Sequence, residues 1–418
     1  MPPADSQLAR QFATEVVRTL RQAGHQALWA GGCVRDQLMG QMPKDYDVAT
    51  DAAPDRIREV FGKRRTLPIG AAFGVITVLG PKGAGQIDVA TFRRDATYSD
   101  GRHPDSVTFA DAEADAQRRD FTINGLFYDP LEQRVIDYVG GQEDLRRRVV
   151  RAIGDPRQRI AEDKLRMLRA VRFAARFDFA LDDDTLTVIQ DHAGELVIVS
   201  AERVAAELRL ILTHPSRARG LELLSEAALL EVLLPESEMG FAETSAWNRT
   251  CSILAALDAP TFSMALAVLL RELHQAESHK NLPQVVFDRW KLSTDELLGV
   301  GMLLREEPLI RTASQTPWPK LQRLLVAPRI EELLGYCQAV ARVVDGATTE
   351  IDFCRAKLAL PAAELNPPPL ITGDDLKQLG IPPGPAYRDI LDQVRDAQLN
   401  KRVTTREQAV AMVHRDKH

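Results

Sequence analysis

The hydrophobic pattern of this chain changes character once, near Gly141, and that change limits the folds open to it. Before it, short apolar runs are cut by glycine and proline turns. Leu8, Phe12, Val16 and Leu20 recur every four residues and predict an amphipathic helix over 6–23, stopped by Gly24. Gln26–Ala30 reads as a short strand, Val34–Met39 as a helical segment, Lys44–Thr50 as a second strand and Pro54–Phe61 as a short helix. Val75–Leu79 and Gln86–Phe92 read as a hairpin turned by Gly80-Pro81-Lys82-Gly83. After Gly141 the helical period dominates, over 158–178, 184–192, 202–213, 217–230, 261–275, 296–304 and 319–345, and no strand-like alternation of any length returns. The expected class is α+β: a small head around a mixed sheet, then helices only. With 418 residues, two to four domains are expected. The breaks fall near 140, near 225 and at Asn366-Pro367-Pro368-Pro369.

Within the head, Gly31-Gly32-Cys33-Val34-Arg35-Asp36 is followed nine residues later by Asp45-Tyr46-Asp47. Paired glycines let a turn approach phosphates closely, with the next helix N-terminus adding positive potential. Arg35 is placed to pair with a phosphate oxygen. Side chains alternate along a strand, so Asp45 and Asp47 are expected on one face, where two carboxylates can hold Mg²⁺. Asp88, in Ile87-Asp88-Val89 on a neighbouring strand, is a candidate third ligand. Taken alone, a D-x-D pair also fits a solvated strand face, and Arg35 also fits a local salt bridge to Asp36.

Two further clusters stand downstream. Arg118-Arg119-Asp120-Phe121-Thr122-Ile123-Asn124 sets two cations, a carboxylate and an amide before an apolar run, a group suited to phosphate and ribose hydroxyls and equally to a capped turn. Glu162-Asp163, Arg166, Arg169 and Arg172 lie on the helix expected over 158–178, where steps of three keep Asp163 and the arginines on one drifting face. A rigid Asp163/Arg166 pair there would present an acceptor and a fork of donors, an edge that can hydrogen-bond a nucleobase. The alternative is a face of i,i+3 ion pairs.

The net charge of −6 argues at face value against a nucleic-acid partner, but its distribution does not. Asp144 to Arg172 holds ten Lys/Arg against four Asp/Glu, a basic stripe able to hold a polyanion. The four cysteines, Cys33, Cys251, Cys337 and Cys354, are widely spaced and suit neither a disulfide framework nor a zinc site. No apolar run reaches spanning length, and Met1–Gln11 lacks a basic-then-apolar leader. A cytoplasmic location is expected, with no membrane and no obligate protein partner.

Together the three clusters resemble the successive signatures of class II CCA-adding tRNA nucleotidyltransferases and bacterial poly(A) polymerases. The resemblance is strong over 28–210. It returns at Thr372-Gly373-Asp374-Asp375-Leu376 and Leu379-Gly380-Ile381-Pro382-Pro383-Gly384-Pro385, which is similar to the tail of CCA-adding enzymes. It implies a polymerase-β-like nucleotidyltransferase head (1–140) followed by an all-helical neck (141–225), body (226–365) and tail (366–418), the tail holding the body of a tRNA. It implies that Asp45 and Asp47 bind two Mg²⁺ ions, and that Gly31, Gly32, Arg35 and Arg119 contact the incoming CTP or ATP. Asp120 and Asn124 would lie near the ribose. Asp163 and Arg166 would read the base as a protein template, with Arg169 and Arg172 supporting the pocket. Gly140-Gly141 with Asp144-Leu145 is similar to the head–neck hinge.

The chain departs from the family pattern in Trp29-Ala30, where an aliphatic pair is usual, and in Gly125, where alanine is usual. No His-Asp dipeptide occurs, so the phosphohydrolase domain of some members has no counterpart. Thr97 to Pro104 is similar to the family's flexible loop, which CC-only enzymes lack. CCA addition is therefore the expected activity, by direct attack of the RNA 3′-hydroxyl on the nucleotide α-phosphate. A-only or poly(A) addition is the alternative. A small-molecule nucleotidyltransferase or a non-catalytic RNA-binding relative is more distant.

Overall fold

The computed structural model describes residues 6–95, 107–241, 243–274 and 281–415; the loop Thr97 to Pro104 lies outside them. The chain divides into two compact units, Met1–Glu238 and Met239–His418.

The first unit is built on a seven-stranded mixed sheet. Helix α1 (Ser6–Gln22) precedes strand β1 (Ala27–Ala30), and α2 (Gly32–Leu38) follows it directly. Next come β2 (Asp47–Thr50), α3 (Pro54–Phe61), β3 (Thr66–Gly70), β4 (Val75–Leu79) and β5 (Gln86–Thr91). A short antiparallel pair, β6 (Arg93–Asp95) and β7 (Val107–Phe109), follows, then α4 (Ala112–Gln117), β8 (Phe127–Asp129) and β9 (Arg134–Ile136). The sheet order is β3-β4-β5-β2-β1-β8-β9, with only β2 and β5 parallel. The hairpin turned by Gly80 to Gly83 is present as expected, with Leu79 opposite Gln86. Strand β3 and the β8–β9 pair were not expected: their runs are short and half exposed, so alternation is weak.

Each face of the sheet is covered by a different core. Phe12, Val16 and Leu20 of α1 pack on Trp29, Val48, Ile76, Val78, Ile87 and Val89. Leu28, Ala49, Phe92, Ala112, Ala116 and Phe127 form a smaller cluster on the other face. Burial of each such side chain contributes roughly 1.5–3 kcal/mol, which is what holds strands only four residues long.

Three expected elements are corrected. The second strand starts at Asp47, not Lys44; Asp45 sits in a bend before it. On the β1 side a partner is missing: β1 ends at Ala30 and turns at Gly31, so residues before Asp47 have no ladder to join there. The helix expected over 158–178 is two helices, α6 (Pro156–Glu162) and α7 (Arg166–Phe177), after α5 (Gly141–Arg147). Asp163 lies in the break, with extended backbone (φ −151°, ψ 105°), and its Oδ1 accepts from Leu165 N at 3.1 Å. An aspartate capping its own local turn competes with continuation of the helix. The run over 319–345 is likewise split into Trp318–Leu325 and Ile330–Val344, with Pro328 between them.

Helices α9 (Ala201–Leu212) and α10 (Arg217–Glu226) pack on α7, and α8 (Asp183–His192) packs on α6. A two-residue parallel pair, Val149–Val150 with Ala180–Leu181, also lies in this part. The second unit is helical throughout its described residues. Its core encloses Arg271, whose guanidinium donates to Glu307, while Tyr336 Oη donates to the same carboxylate at 2.9 Å. A separate small core around Leu376, Val394 and Ala409 supports its C-terminal segment. No helix among the described residues is long and apolar enough to cross a membrane.

Candidate active site

The turn after β1 brings the first motif to the wall of a cleft. Gly31 has φ +71°, and its amide donates to Leu126 O at 2.9 Å, pinning the turn to the segment entering β8. A Cβ on Gly31 would stand 2.8 Å from Arg119 Nη1, so glycine is required twice over, by backbone conformation and by close approach.

Asp47 opens β2 and is the direct partner of Asp88 on the parallel strand β5. Tyr46 is buried against Trp29, and Asp47, the next residue, faces the other way and lines the cleft. Asp45, outside the strand, is not set by strand alternation; its charge reaches Asp47, but only Asp47 lines the cleft. Burial against the cleft wall, then the charge of Asp88 and to a lesser degree Asp45, push the Asp47 carboxyl up to about 6 despite the opposing pull of Arg119. Asp88 Oδ1 accepts from Thr77 Oγ1 at 2.6 Å. Among the described residues, no three His, Cys, Asp or Glu side chains are gathered into a metal-holding group. The donor set nevertheless fits Mg²⁺: hard carboxylate oxygens, mutually repelling, open to a cleft where substrate oxygens and water can complete the shell.

That cleft has a volume of about 540 Å³ and gathers all the anticipated nucleotide-binding residues, from Gly31 to Arg172, with Asp47. Seven arginines line it against three aspartates, a balance suited to a polyanionic ligand. Arg35 is nearly buried. It donates through Nε and Nη2 to Asp36 Oδ1 (2.8 and 2.6 Å) and through Nη1 to Asn124 Oδ1 at 2.5 Å, and it lies over the Phe177 ring at 4.5 Å. The local salt bridge of Arg35 to Asp36 is present, and Arg35 also lines the cleft. Arg119 grips buried Asp115 through Nε and Nη2 (3.2 and 2.9 Å) and Asn124 O through Nη1 at 3.3 Å. A guanidinium has five N–H donors, and three are used in each case, which leaves two on Arg35 and two on Arg119 for a ligand.

Asp120 joins head to helical region. Its Oδ1 accepts from Phe121 N (2.8 Å) and Asn124 Nδ2 (3.1 Å), and its Oδ2 from Arg169 Nε and Nη2 (2.9 and 2.5 Å). Burial alone would raise its pKa, but Arg169 overcomes that and holds it below the ordinary carboxylate value. The head–neck segment is tied in similarly. A Cβ on Gly141 would stand 2.2 Å from Thr122 O, and Thr122 Oγ1 donates to buried Asp144 at 2.7 Å.

The Asp163/Arg166 pair is not a mutual ion pair. Arg166 bonds Glu162 Oε2 at 2.5 Å and Arg159 O at 2.8 Å, while Asp163 Oδ2 accepts from Arg203 Nη2 at 2.7 Å. Both side chains still face the one cleft. Arg172 Nε donates to Glu207 Oε2 at 2.6 Å and its guanidinium lies 4.3 Å over the Phe173 ring. Arg203, Glu207 and Phe173 were missed from the sequence. The first two stand four apart on α9, a spacing that marks one helix face, but nothing in it says what that face meets.

The basic stripe is largely ion-paired. Eight of the ten cations between Asp144 and Arg172 are engaged in ion pairs, among them Arg146 with Glu143, Arg157 with Asp191 and Lys164 with Glu195. Some of these pairs, such as Arg146 with Glu143, are on the surface, while Arg166, Arg169 and Arg172 also line the cleft.

Comparison with known proteins gives two family matches: residues 27–151 match the Poly A polymerase head domain, and 178–239 match the probable RNA and SrmB- binding site of polymerase A. The chain is 33% identical over 386 residues, 91% of each chain, to a CCA-adding enzyme of Levilactobacillus brevis. It is 31% identical over 429 residues, 97% of each, to one of Geobacillus sp. (strain WCH70). The crystal structure of the Bacillus stearothermophilus CCA-adding enzyme in complex with CTP superimposes with a TM-score of 0.75 at 30% identity, covering 98% of both chains.

Proposed function

This chain belongs to the family of CCA-adding enzymes and bacterial poly(A) polymerases, and from that premise we propose that it adds CCA to tRNA 3′ ends, using CTP and ATP. The observation that carries this reading is the convergence on one cleft of Asp47, the arginines Arg35 and Arg119, and the Asp163 and Arg166 side chains. Chemistry and base selection then share a single site.

Arg35 and Arg119 hold triphosphate oxygens with their remaining N–H groups, and Gly31 and Gly32 keep the turn clear of side chains. Asp120 and Asn124 set the wall beside the ribose. Asp163 presents an acceptor and Arg166 donors to the base edge, and Arg169 and Arg172 brace the pocket floor. The RNA 3′-hydroxyl attacks the α-phosphorus directly, pyrophosphate leaves, and no covalent enzyme intermediate forms. Two Mg²⁺ ions held by Asp45 and Asp47 would lower the pKa of that hydroxyl and neutralise the departing pyrophosphate. Under this reading the chain is organised as head 1–140, neck 141–225, body 226–365 and tail 366–418, and it works in the cytoplasm.

The test is incubation with a tRNA ending before CCA and each labelled nucleotide separately and together. Two C residues and one A are expected. Incorporation of ATP without CTP would replace this reading with A-only or poly(A) addition.

A further inference from the structure

Asp45 and Asp47 flank Tyr46, and strand pairing fixes only one of the two. The β1 register stops at Trp29 opposite Val48, and the β5 register stops at Asp47 opposite Asp88. Tyr46 and the exposed Asp45 therefore lie outside both ladders. A carboxylate that must be ordered when it binds a metal loses affinity to that ordering, whereas one already held does not. If both carboxylates serve one metal centre, something other than the ladder must hold this stretch of chain.

What holds it is a box of aromatic rings on the α1 side of the sheet. The Tyr46 side chain is 2% exposed and that of Trp29 1%. Their ring centroids are 4.8 Å apart with planes at 63°, an edge-on contact, and the Tyr128 ring lies 5.4 Å from that of Trp29. Trp29 is in register with both Val48 and Tyr128, so β2 and β8 carry the box on either side of β1. From α1, the Arg10 guanidinium stands 5.9 Å from the centre of the Trp29 ring. Packed edge-on rings fix orientation as well as distance.

Tyr46 Oη and Trp29 Nε1 are both buried, and neither has a hydrogen-bond partner among the described residues. No group of the protein thus depends on either polar atom, and what the pair offers is the shape and stiffness of its rings. Trp29 also stands where the family usually has an aliphatic residue, so this box is a feature of the chain itself. A weaker tie acts on the backbone of Asp47. Cys33 Sγ stands 3.4 Å from Ala30 O and 3.9 Å from Asp47 O, so one thiol proton is shared between the end of β1 and the start of β2.

We propose that Tyr46 and Trp29 are positioning residues for the metal centre: the packing of their rings, in place of strand pairing, sets the Asp45 carboxylate where it shares a metal ion with Asp47. The proposal rests on the assignment of metal binding to Asp45 and Asp47. It extends that assignment to two residues packed on the opposite face of the sheet from the cleft.

The experiment titrates the full-length protein with Tb³⁺, a hard cation that takes carboxylate oxygens as Mg²⁺ does and emits when excited through a nearby aromatic ring. The variants are Tyr46→Leu, Tyr46→Phe, Trp29→Leu and Asp47→Asn, each first checked for native circular dichroism. Tb³⁺ emission from the unaltered protein is expected to be displaced by Mg²⁺ and to be lost in Asp47→Asn. Tyr46→Leu is expected to raise half-saturating Tb³⁺ about tenfold or more, and Tyr46→Phe, which keeps the ring, to restore it. In CTP incorporation on a tRNA ending before CCA, Tyr46→Leu and Trp29→Leu are expected to raise half-saturating Mg²⁺ by about the same factor, with KM for tRNA unchanged. A merely structural loss would lower the active fraction without moving the Mg²⁺ dependence. Emission that needs Asp47, with unchanged half-saturating Tb³⁺ in Tyr46→Leu and unchanged half-saturating Mg²⁺ in both leucine variants, would overturn the proposal and leave the metal assignment standing. Equal effects of Tyr46→Leu and Tyr46→Phe would overturn it by placing the role in the hydroxyl. Undiminished Tb³⁺ binding in Asp47→Asn would overturn both. The Tb³⁺ titration does not depend on which nucleotide the enzyme adds.

Discussion

Arg203 Nη2 stands 2.7 Å from Asp163 Oδ2, so the carboxylate proposed to read the base is held from α9 and not by Arg166, three residues away on its own segment. The acceptor edge and the donor edge are thus fixed by independent anchors, Arg203 for one and Glu162 for the other. An Asp163 oxygen held on one side keeps lone pairs for a ligand on the other.

Arg203→Ala is expected to release Asp163 and lower kcat/KM for CTP and ATP on the order of tenfold, about 1.4 kcal/mol of transition-state stabilisation. Discrimination against UTP and GTP should weaken at the same time, while Arg203→Lys restores part of it. Single-nucleotide incorporation assays read both. Unaltered selectivity in the alanine variant would remove Arg203 from this role.

Asp163→Ala should degrade the choice between CTP and ATP more than it degrades triphosphate binding. Competition between the two nucleotides on one tRNA, together with KM for each, measures this. Survival of the preference would refute protein-templated reading here.

Asp47→Ala is expected to stop incorporation, by a factor of about 10³ or more, while tRNA binding in a filter or gel-shift assay persists. Its neighbours Asp45 and Asp88 leave a site with carboxylates but without the one on the cleft wall. Continued incorporation would show that the metal assignment is wrong.

Gly31→Ala is expected to be worse than Gly32→Ala. At Gly31 the backbone is left-handed, which costs an L-residue roughly 1–2 kcal/mol, and the new methyl displaces Arg119. At Gly32 the nearest atom is Arg35 Nη2 at 3.5 Å, an ordinary contact. Thermal unfolding should separate the two by several degrees, and KM for nucleotide should rise chiefly in the first.

Asp120 titrates below its unfolded value because Arg169 overcomes the effect of burial. Its contribution to stability is then complete above the unfolded carboxylate pKa of about 3.9 and is lost as pH falls through the depressed folded value. Asp120→Asn should destabilise the first unit by about 2 kcal/mol near neutrality, since one partner of a largely buried pair is left behind. The gap between variant and parent should close in acid, as urea midpoints measured across pH would reveal. A gap independent of pH would mean that Asp120 acts through shape alone.

The chain's own pattern determined the division into a mixed-sheet head and helices, because periods of two and of 3.6 are properties of consecutive residues. It likewise singled out the side chains proposed to carry the chemistry. Gly31, Arg35, Asp47, Arg119 and Asp163 sit in short segments whose spacing is itself the signal, and the cleft collects them all. What neighbouring residues cannot encode is partnership across the fold. The start of β2 at Asp47 depends on where β1 ends, the break at Asp163 on a cap competing with a helix, and the fate of the neck cations on carboxylates up to 49 positions away, such as Asp120 for Arg169. Charge counted along the sequence therefore pointed to a basic stripe in the neck. Charge counted in space shows most of those cations paired with carboxylates that only the fold brings near, such as Lys164 with Glu195 and Arg172 with Glu207.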